Sequence, residues 1–496
     1  MKIRFGAIVY VAATLLSAQT PKDSYYVNPL SIEDTRSIAD PAAIRFKGKY
    51  YLFLSGGGMV WSSDDLAHWT HHPVTIPGRR GISAPNVFQY KDHLYLTGND
   101  TGLYRSADPL GPWEYLGDIH DASGKKMLLF DSMGFVDDDS RIYMYYSGRH
   151  SDGIWGVELN PKDITSFLGE PKRFWSFDKS HIWERYGDNH EGTELSWIEA
   201  PWMTKHNGTY YLQYSAPGTE WKTYAVGVYT SKHPLGPFTY APRNPILIHK
   251  DGLINGTGHH TVIEGPDGKL YAIYTILYRN WGVFDRRIGM DRVDFDKAGN
   301  MFVAGPSETP QLVPGIKAAA NLIAPITVSI NRYSWTATSA APGRDPSYAF
   351  DNNVRTWWQP AENDSTPSLT LDLGCRNPTD TNQEFLVNST RVLFEIAPPD
   401  RTNLTVDGHS PWYPNAPRVA PSAYQYRIET SLDNRQFSTV LDRTVNARAN
   451  NVEFGEFAPV RCRWIRLTIT GRPKDAPLAV LEFTAFGQPV EAAPAK

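Results

Sequence analysis

The chain has 496 residues, 41% hydrophobic and 13% aromatic, with a net charge of −4. That length holds two domains with real cores, one large and one ordinary. The balance of 49 basic and 53 acidic residues, without a long basic run, excludes a nucleic-acid partner, which needs a basic stripe. The 15 Trp and 27 Tyr suit all-β packing and the stacking of flat rings on sugar faces.

Residues 1–18 read as an export signal. Lys2 and Arg4 form the basic start, Phe5 to Leu16 the apolar stretch, and Ser17-Ala18 a small-residue cleavage site. The apolar run is short for a membrane span, so the expectation is a secreted or periplasmic protein with no membrane contact after cleavage.

One pattern then recurs five times: a turn, alternating aromatic and aliphatic residues, and a small residue. The copies are Gly48-Lys-Tyr-Tyr-Leu-Phe-Leu-Ser55, Asp92-His-Leu-Tyr-Leu-Thr97, Ser140-Arg-Ile-Tyr-Met-Tyr-Tyr-Ser147, Gly208-Thr-Tyr-Tyr-Leu-Gln-Tyr-Ser215 and Gly268-Lys-Leu-Tyr-Ala-Ile-Tyr-Thr275. Each reads as a strand entered through a tight turn. Turns ending in an aromatic follow three copies, at Trp69, Trp113 and Phe238, and read as leading into outer strands. Five such units without a convincing helix predict a five-bladed β-propeller over residues 24–305. Tyr25 to Asn28 is expected to supply a strand that closes the ring with the last blade.

Three acids stand in apolar stretches ahead of repeated strands: Asp40 before the first, Asp131 before the third and Glu199 before the fourth. An acid there is costly unless solvated or paired. Three from different blades point to a shared site on the axis, and paired carboxylates are what glycoside hydrolysis requires. The rival acids Glu191 and Glu194 lie in a long polar loop, residues 174–196, that is expected to shape the pocket.

Ala39-Asp40-Pro41, Phe130-Asp131, Ile198-Glu199-Ala200-Pro201, Gly256-Thr-Gly-His259 and Arg286-Arg-Ile-Gly-Met-Asp291 occur in the order of the motifs of glycoside hydrolase family 43. The propeller resembles that family. The resemblance implies an inverting mechanism with Asp40 as general base, Glu199 as general acid and Asp131 as the acid that raises and orients Glu199. It also implies a His on the axis, His259 rather than its neighbour His260, and a substrate-contacting Arg, Arg286 rather than Arg287. Trp61, Trp197 and Trp221 are candidate pocket walls. The sequence departs from the family's more usual Ile-Asp at Phe130-Asp131 and its frequent Glu-Gly-Pro at Glu199-Ala200-Pro201.

Residues 306–325 read as a Pro-, Gly- and Ala-rich linker, and residues 326–488 as a second domain. Ala349-Phe-Asp351-Asn-Asn-Val-Arg-Thr356-Trp357, Leu369 to Gly374, Tyr426 to Asp433, Arg463 to Ile469 and Leu481 to Gly487 resemble a discoidin, or factor V/VIII C-type, domain such as carbohydrate-binding module family 32. This implies a jelly-roll β-sandwich and a structural Ca²⁺ on Asp351, Thr356 and Glu482, whose oxygens suit that ion. An insertion at Pro398–Pro421 carries Trp412 and Tyr413. Cys375 ends one strand and Cys462 begins another, so antiparallel pairing of those strands predicts a disulfide.

The expected activity is the release of a terminal α-L-arabinofuranose or β-D-xylose from plant-type carbohydrate, with no cofactor needed for the chemistry. A β-galactofuranosidase or galactan-acting exo-enzyme is the alternative within the family, and a non-catalytic glycan-binding protein the alternative outside it.

Overall fold

Each of the five repeats becomes the second strand of an antiparallel sheet. In a computed structural model, residues 23–33, 38–55, 58–278, 285–318, 324–330, 332–375, 383–394, 423–472 and 478–490 are described. The signal at 1–18 and the insertion Pro398–Pro421 lie outside them.

Blade 1 runs Ala42–Phe46, Lys49–Phe53, Met59–Ser63 and Thr70–Pro73. Its first hairpin turns on Lys47 and Gly48, both at positive φ, where Gly adopts the left-handed backbone without a Cβ penalty. Asn207-Gly208 does the same in blade 4. The first strands of the other blades are Asn86–Tyr90, Phe130–Val136, Glu199–His206 and Gly258–Glu264. Each of these first strands packs on the next, and the fifth packs on the first. They form the inner wall of a five-bladed propeller.

Residues 62–69, 105–113 and 231–238 supply the turns between third and fourth strands. Each aromatic lies just before the fourth strand rather than within it. The expected closing strand also differs. Tyr25–Tyr26 pairs with Gln311–Leu312 as a separate two-stranded sheet, while blade 5 takes all four strands from Gly258 to Val303. The segment expected to be a linker is fastened down in its described part. Ser307 meets Asn28 and Asp291, and Val313 is buried in the blade 1 core.

The C-terminal domain is a β-sandwich. A four-stranded sheet contains Val480–Pro489, Phe385–Phe394 and Val452–Cys462, and a five-stranded sheet contains Ser368–Asp372, Trp464–Gly471 and Gln425–Ser431. Trp358, Leu371, Phe394, Ile465 and Phe483 fill the space between the sheets. The sandwich is not tethered loosely. Val354, Leu393, Val452 and Leu481 share one apolar cluster with Ile254, Tyr278 and Val303 of the propeller. Arg391, fully buried, reaches from the sandwich to the carbonyl of Asn28 at 2.5 Å.

The expected disulfide is not formed, and Cys375 and Cys462 are both thiols. Cys462 does not open the strand that follows it. It closes Val452–Cys462 in the four-stranded sheet, opposite Phe385, whereas Cys375 follows Ser368–Asp372 of the five-stranded sheet. Burial pushes the Cys462 thiol up to about 12.

Candidate active site

Asp40, Asp131 and Glu199 reach the propeller axis from blades 1, 3 and 4. Local backbone irregularity aims them there. Asp40 and Asp131 sit at φ 53° and 46°, a left-handed conformation costing a non-glycine residue on the order of 1 kcal/mol. The hairpin ladders slip between Phe130 and Met133, between Glu199 and Trp202, and between Gly258 and His260. Such bulges turn a side chain out of the strand's alternation.

His259 stands between two of the acids. Its Nδ1 lies 3.5 Å from Asp40 Oδ1 and 3.8 Å from Asp131 Oδ2. His260 faces the other way, onto Gln213 at 3.2 Å, and burial drives its pKa down to about 3. Arg286 Nη1 donates to Asp40 Oδ1 at 3.0 Å, whereas Arg287 pairs with Asp285 over the ring of Tyr278. The axis therefore takes His259 and Arg286 and leaves His260 and Arg287 to the packing.

The acids are held in opposite protonation states. Burial favours a neutral Asp40, but Arg286, then His259 and the Ser55 hydroxyl, hold its carboxyl below the ordinary range. Glu199 is pushed well above its ordinary value, first by burial and then by the charge of Asp131, against one hydrogen bond from Tyr224 at 2.7 Å. Asp131 is also raised, by burial foremost, against His259. Asp40 is thus held toward the ionised carboxylate and Glu199 toward the protonated carboxyl, the pair that general base and general acid catalysis needs.

The three tryptophans separate. Trp61, 2% exposed, is packed in the blade 1 core and is no pocket wall, because strand alternation turns it between sheets. Trp197 neighbours Glu199 in sequence and is stacked between His150, centroid to centroid 4.1 Å, and Phe130 at 5.5 Å. Trp221 meets Tyr186 edge-on at 5.0 Å. Tyr186 comes from the long loop flagged in the sequence and donates to Glu220, whose charge adds to the rise of Glu199. Glu191 and Glu194 instead accept bonds within that loop, from Asn189 and Thr193.

Ser55, Tyr224 and Glu220 were not legible as site residues. Ser55 was visible only as the small residue that ends a repeat. Tyr224 and Glu220 carry no sequence signal, since the segment between the second and third strands of blade 4 returns to Glu199 only in three dimensions.

The profile of Glycosyl hydrolases family 43 matches residues 26–301, more than half of the chain. The chain belongs to family 43. A β-D-galactofuranosidase, xynD, of Aspergillus niger is 33% identical over 173 residues, covering 34% of this chain and 44% of that protein. A β-xylosidase of Xylanibacter ruminicola is 28% identical over 199 residues, covering 34% and 56%. A xylosidase/arabinosidase of Bacteroides ovatus is 28% identical over 166 residues, covering 28% and 45%. The chain spans about half the length of the curated relatives it matches. Among solved structures, a thermostable family-43 glycoside hydrolase superposes with a TM-score of 0.50 at 27% identity, over 59% of this chain and 100% of that one. Within family 43, the expected Asp40, Asp131 and Glu199 are the acids that this propeller gathers on its axis.

In the sandwich, Asp351 Oδ2 accepts from the Thr356 hydroxyl at 2.7 Å, and Glu482 Oε2 accepts from the amide of Asn352 at 3.0 Å. The three expected calcium donors are thus neighbours, all oxygen, beside the buried Arg391. Among the described residues, no group of three or more His, Cys, Asp or Glu side chains gathers as a metal site.

Proposed function

We propose that the protein is an inverting, exo-acting glycoside hydrolase that releases a terminal pentose, α-L-arabinofuranose or β-D-xylose, from plant-type oligosaccharide or polysaccharide side chains. The observation that carries this reading is the opposed electrostatics of Asp40 and Glu199 on one axis. Asp40 takes a proton from water as that water attacks the anomeric carbon. Glu199 gives its proton to the glycosidic oxygen as the carbon–oxygen bond breaks, and the sugar leaves with inverted configuration. Asp131 keeps the Glu199 proton in place through like charge. No cofactor enters these steps.

The pentose follows the relatives named xylosidase and xylosidase/arabinosidase. A second reading, release of β-galactofuranose, follows the galactofuranosidase relative. A pure glycan-binding protein has no use for a protonated and an ionised carboxyl gathered on one axis.

The signal-like N-terminus supports a secreted or periplasmic location. Among the described residues, no helix is long and apolar enough to cross a membrane. For the sandwich, we propose a discoidin-like module that takes Ca²⁺ at Asp351, Thr356 and Glu482 on donor chemistry alone.

The test is a panel of nitrophenyl glycosides with the anomer of the first product read by NMR. An inverted pentose is expected, and a retained configuration sinks the mechanism. Glu199→Gln is expected to cripple substrates with poor leaving groups and to spare good ones, while Asp40→Asn stops turnover on both.

A further inference from the structure

The left-handed residues of the inner strands form a repeating device. Each blade has one: Asp40, Ala84, Asp131, Ala200 and His259, with φ between 39° and 53°. The turned backbone points each amide sideways, away from its own ladder and toward the preceding blade. There a side chain accepts it. Ser55 of blade 1 takes the Ala84 amide at 2.7 Å, and Asn99 of blade 2 takes that of Asp131 at 2.7 Å. Ser147 of blade 3 takes the Ala200 amide at 3.0 Å, and Ser215 of blade 4 takes that of His259 at 2.9 Å. Thr275 of blade 5 takes the Asp40 amide at 3.0 Å, which closes the circle.

Ser55 does more than latch. A serine hydroxyl has one proton and two lone pairs. The Ala84 amide occupies a lone pair on one side, which leaves the proton for the other, and there it meets Asp40 Oδ2 at 2.5 Å. Arg286 holds the second oxygen, Oδ1, at 3.0 Å. Donors of two kinds, from blades 1 and 5, therefore set the plane of this carboxylate.

We propose that Ser55 is the positioning residue of the general base: its hydroxyl, oriented by the Ala84 amide, fixes the rotation of the Asp40 carboxylate and keeps it ionised. The proposal rests on the assignment of Asp40 as base. The other titratable groups that face Asp40 are Arg286 and His259, which favour the anion, and Asp131 and Glu199, which oppose it whenever they are ionised. Loss of the Ser55 proton tips this balance toward the neutral acid. Because the base works only when ionised, the acidic limb of the pH–rate profile then moves to higher pH.

The experiment compares kcat/KM against pH, together with melting temperature, for the wild type, Ser55→Ala, Ser55→Thr, Ser147→Ala and Asp40→Asn. Ser55→Ala is expected to lower kcat by about tenfold, the usual worth of one hydrogen bond to a charged group, with the acidic limb displaced upward. Ser55→Thr keeps the hydroxyl and is expected to restore the limb. Ser147→Ala removes the equivalent latch between blades 3 and 4 and is expected to lower the melting temperature with the acidic limb in place. Should Ser55→Ala not fold, Ser55→Cys, a weaker donor of similar size, reads the same limb. An unmoved limb in the Ser55 variants, or an equal displacement in Ser147→Ala, overturns the proposal. Asp40→Asn separates the two failures. If it retains turnover, the base assignment itself is wrong. If it is dead while the Ser55 limb stays put, only the positioning role falls.

Discussion

The backbone amide of Asp40 donates to the Thr275 hydroxyl at 3.0 Å. One bond thus fastens the last blade to the first and anchors the backbone of the candidate base. Among the described residues, blade 5 takes no strand from the N-terminal segment; it closes onto blade 1 through contacts between inner strands and through bonds from Asn28, Leu30 and Ile38 to its third strand. Thr275→Val leaves a buried amide without its acceptor, an expected cost of about 1–3 kcal/mol. Thermal unfolding is expected to show a lower Tm for Thr275→Val and near recovery in Thr275→Ser. Equal melting of Thr275→Val and the wild type shows that the bond contributes nothing to closure.

Asp131 is expected to govern the basic limb of the pH–rate profile. Its charge opposes ionisation of Glu199, whose carboxyl stands well above its ordinary value. Glu199 must be protonated to act. Asp131→Asn removes the like charge, eases Glu199 ionisation and moves the basic limb to lower pH. A profile identical to the wild type, at full activity, removes Asp131 from the mechanism.

Stability is expected to fall with rising pH through Glu482. Burial, opposed by Arg391 and assisted by Asp351, pushes this carboxyl from its ordinary 4.5 up to about 8. The folded pKa lies above the unfolded one, so the stabilisation is fully present below about 4.5 and is lost as pH rises through about 8. Glu482→Gln flattens that stretch of the stability curve in denaturant titrations. A bound Ca²⁺ reverses the sign by favouring the anion, so calcium is expected to raise Tm most at the alkaline end. Indifference of Tm to both calcium and chelator leaves Asp351 to Thr356 as a plain Asx turn.

The two cysteines are expected to titrate as two thiols per chain in unfolded, unreduced protein, with the Cys462 thiol silent until unfolding because burial holds it near 12. No reactive thiol under those conditions restores the bridge that strand order alone had predicted.

Much of this protein was readable from local order along the chain. Five copies of one strand pattern, such as Lys49–Phe53 and Leu270–Leu277, encode blades because strand periodicity and turn chemistry are local properties. Asp40, Asp131 and Glu199 stood out because a charge in an apolar run is expensive wherever that run folds. Tertiary structure alone decided the rest. Of two adjacent histidines or arginines, only a bulge or a strand register determines which faces the axis, and that sent His259 and Arg286 inward and His260 and Arg287 into the packing. Trp61 and Trp197 are the same residue type. Only the stacking of sheets buried one and left the other beside the acid. The latches from Ser55, Ser147, Ser215 and Thr275, the Tyr224 bond to Glu199 and the sheet assignment of Cys462 all join residues distant in sequence. Their partners exist only in the folded protein, because a contact between strands or between blades is set by three-dimensional register and leaves no period in the chain.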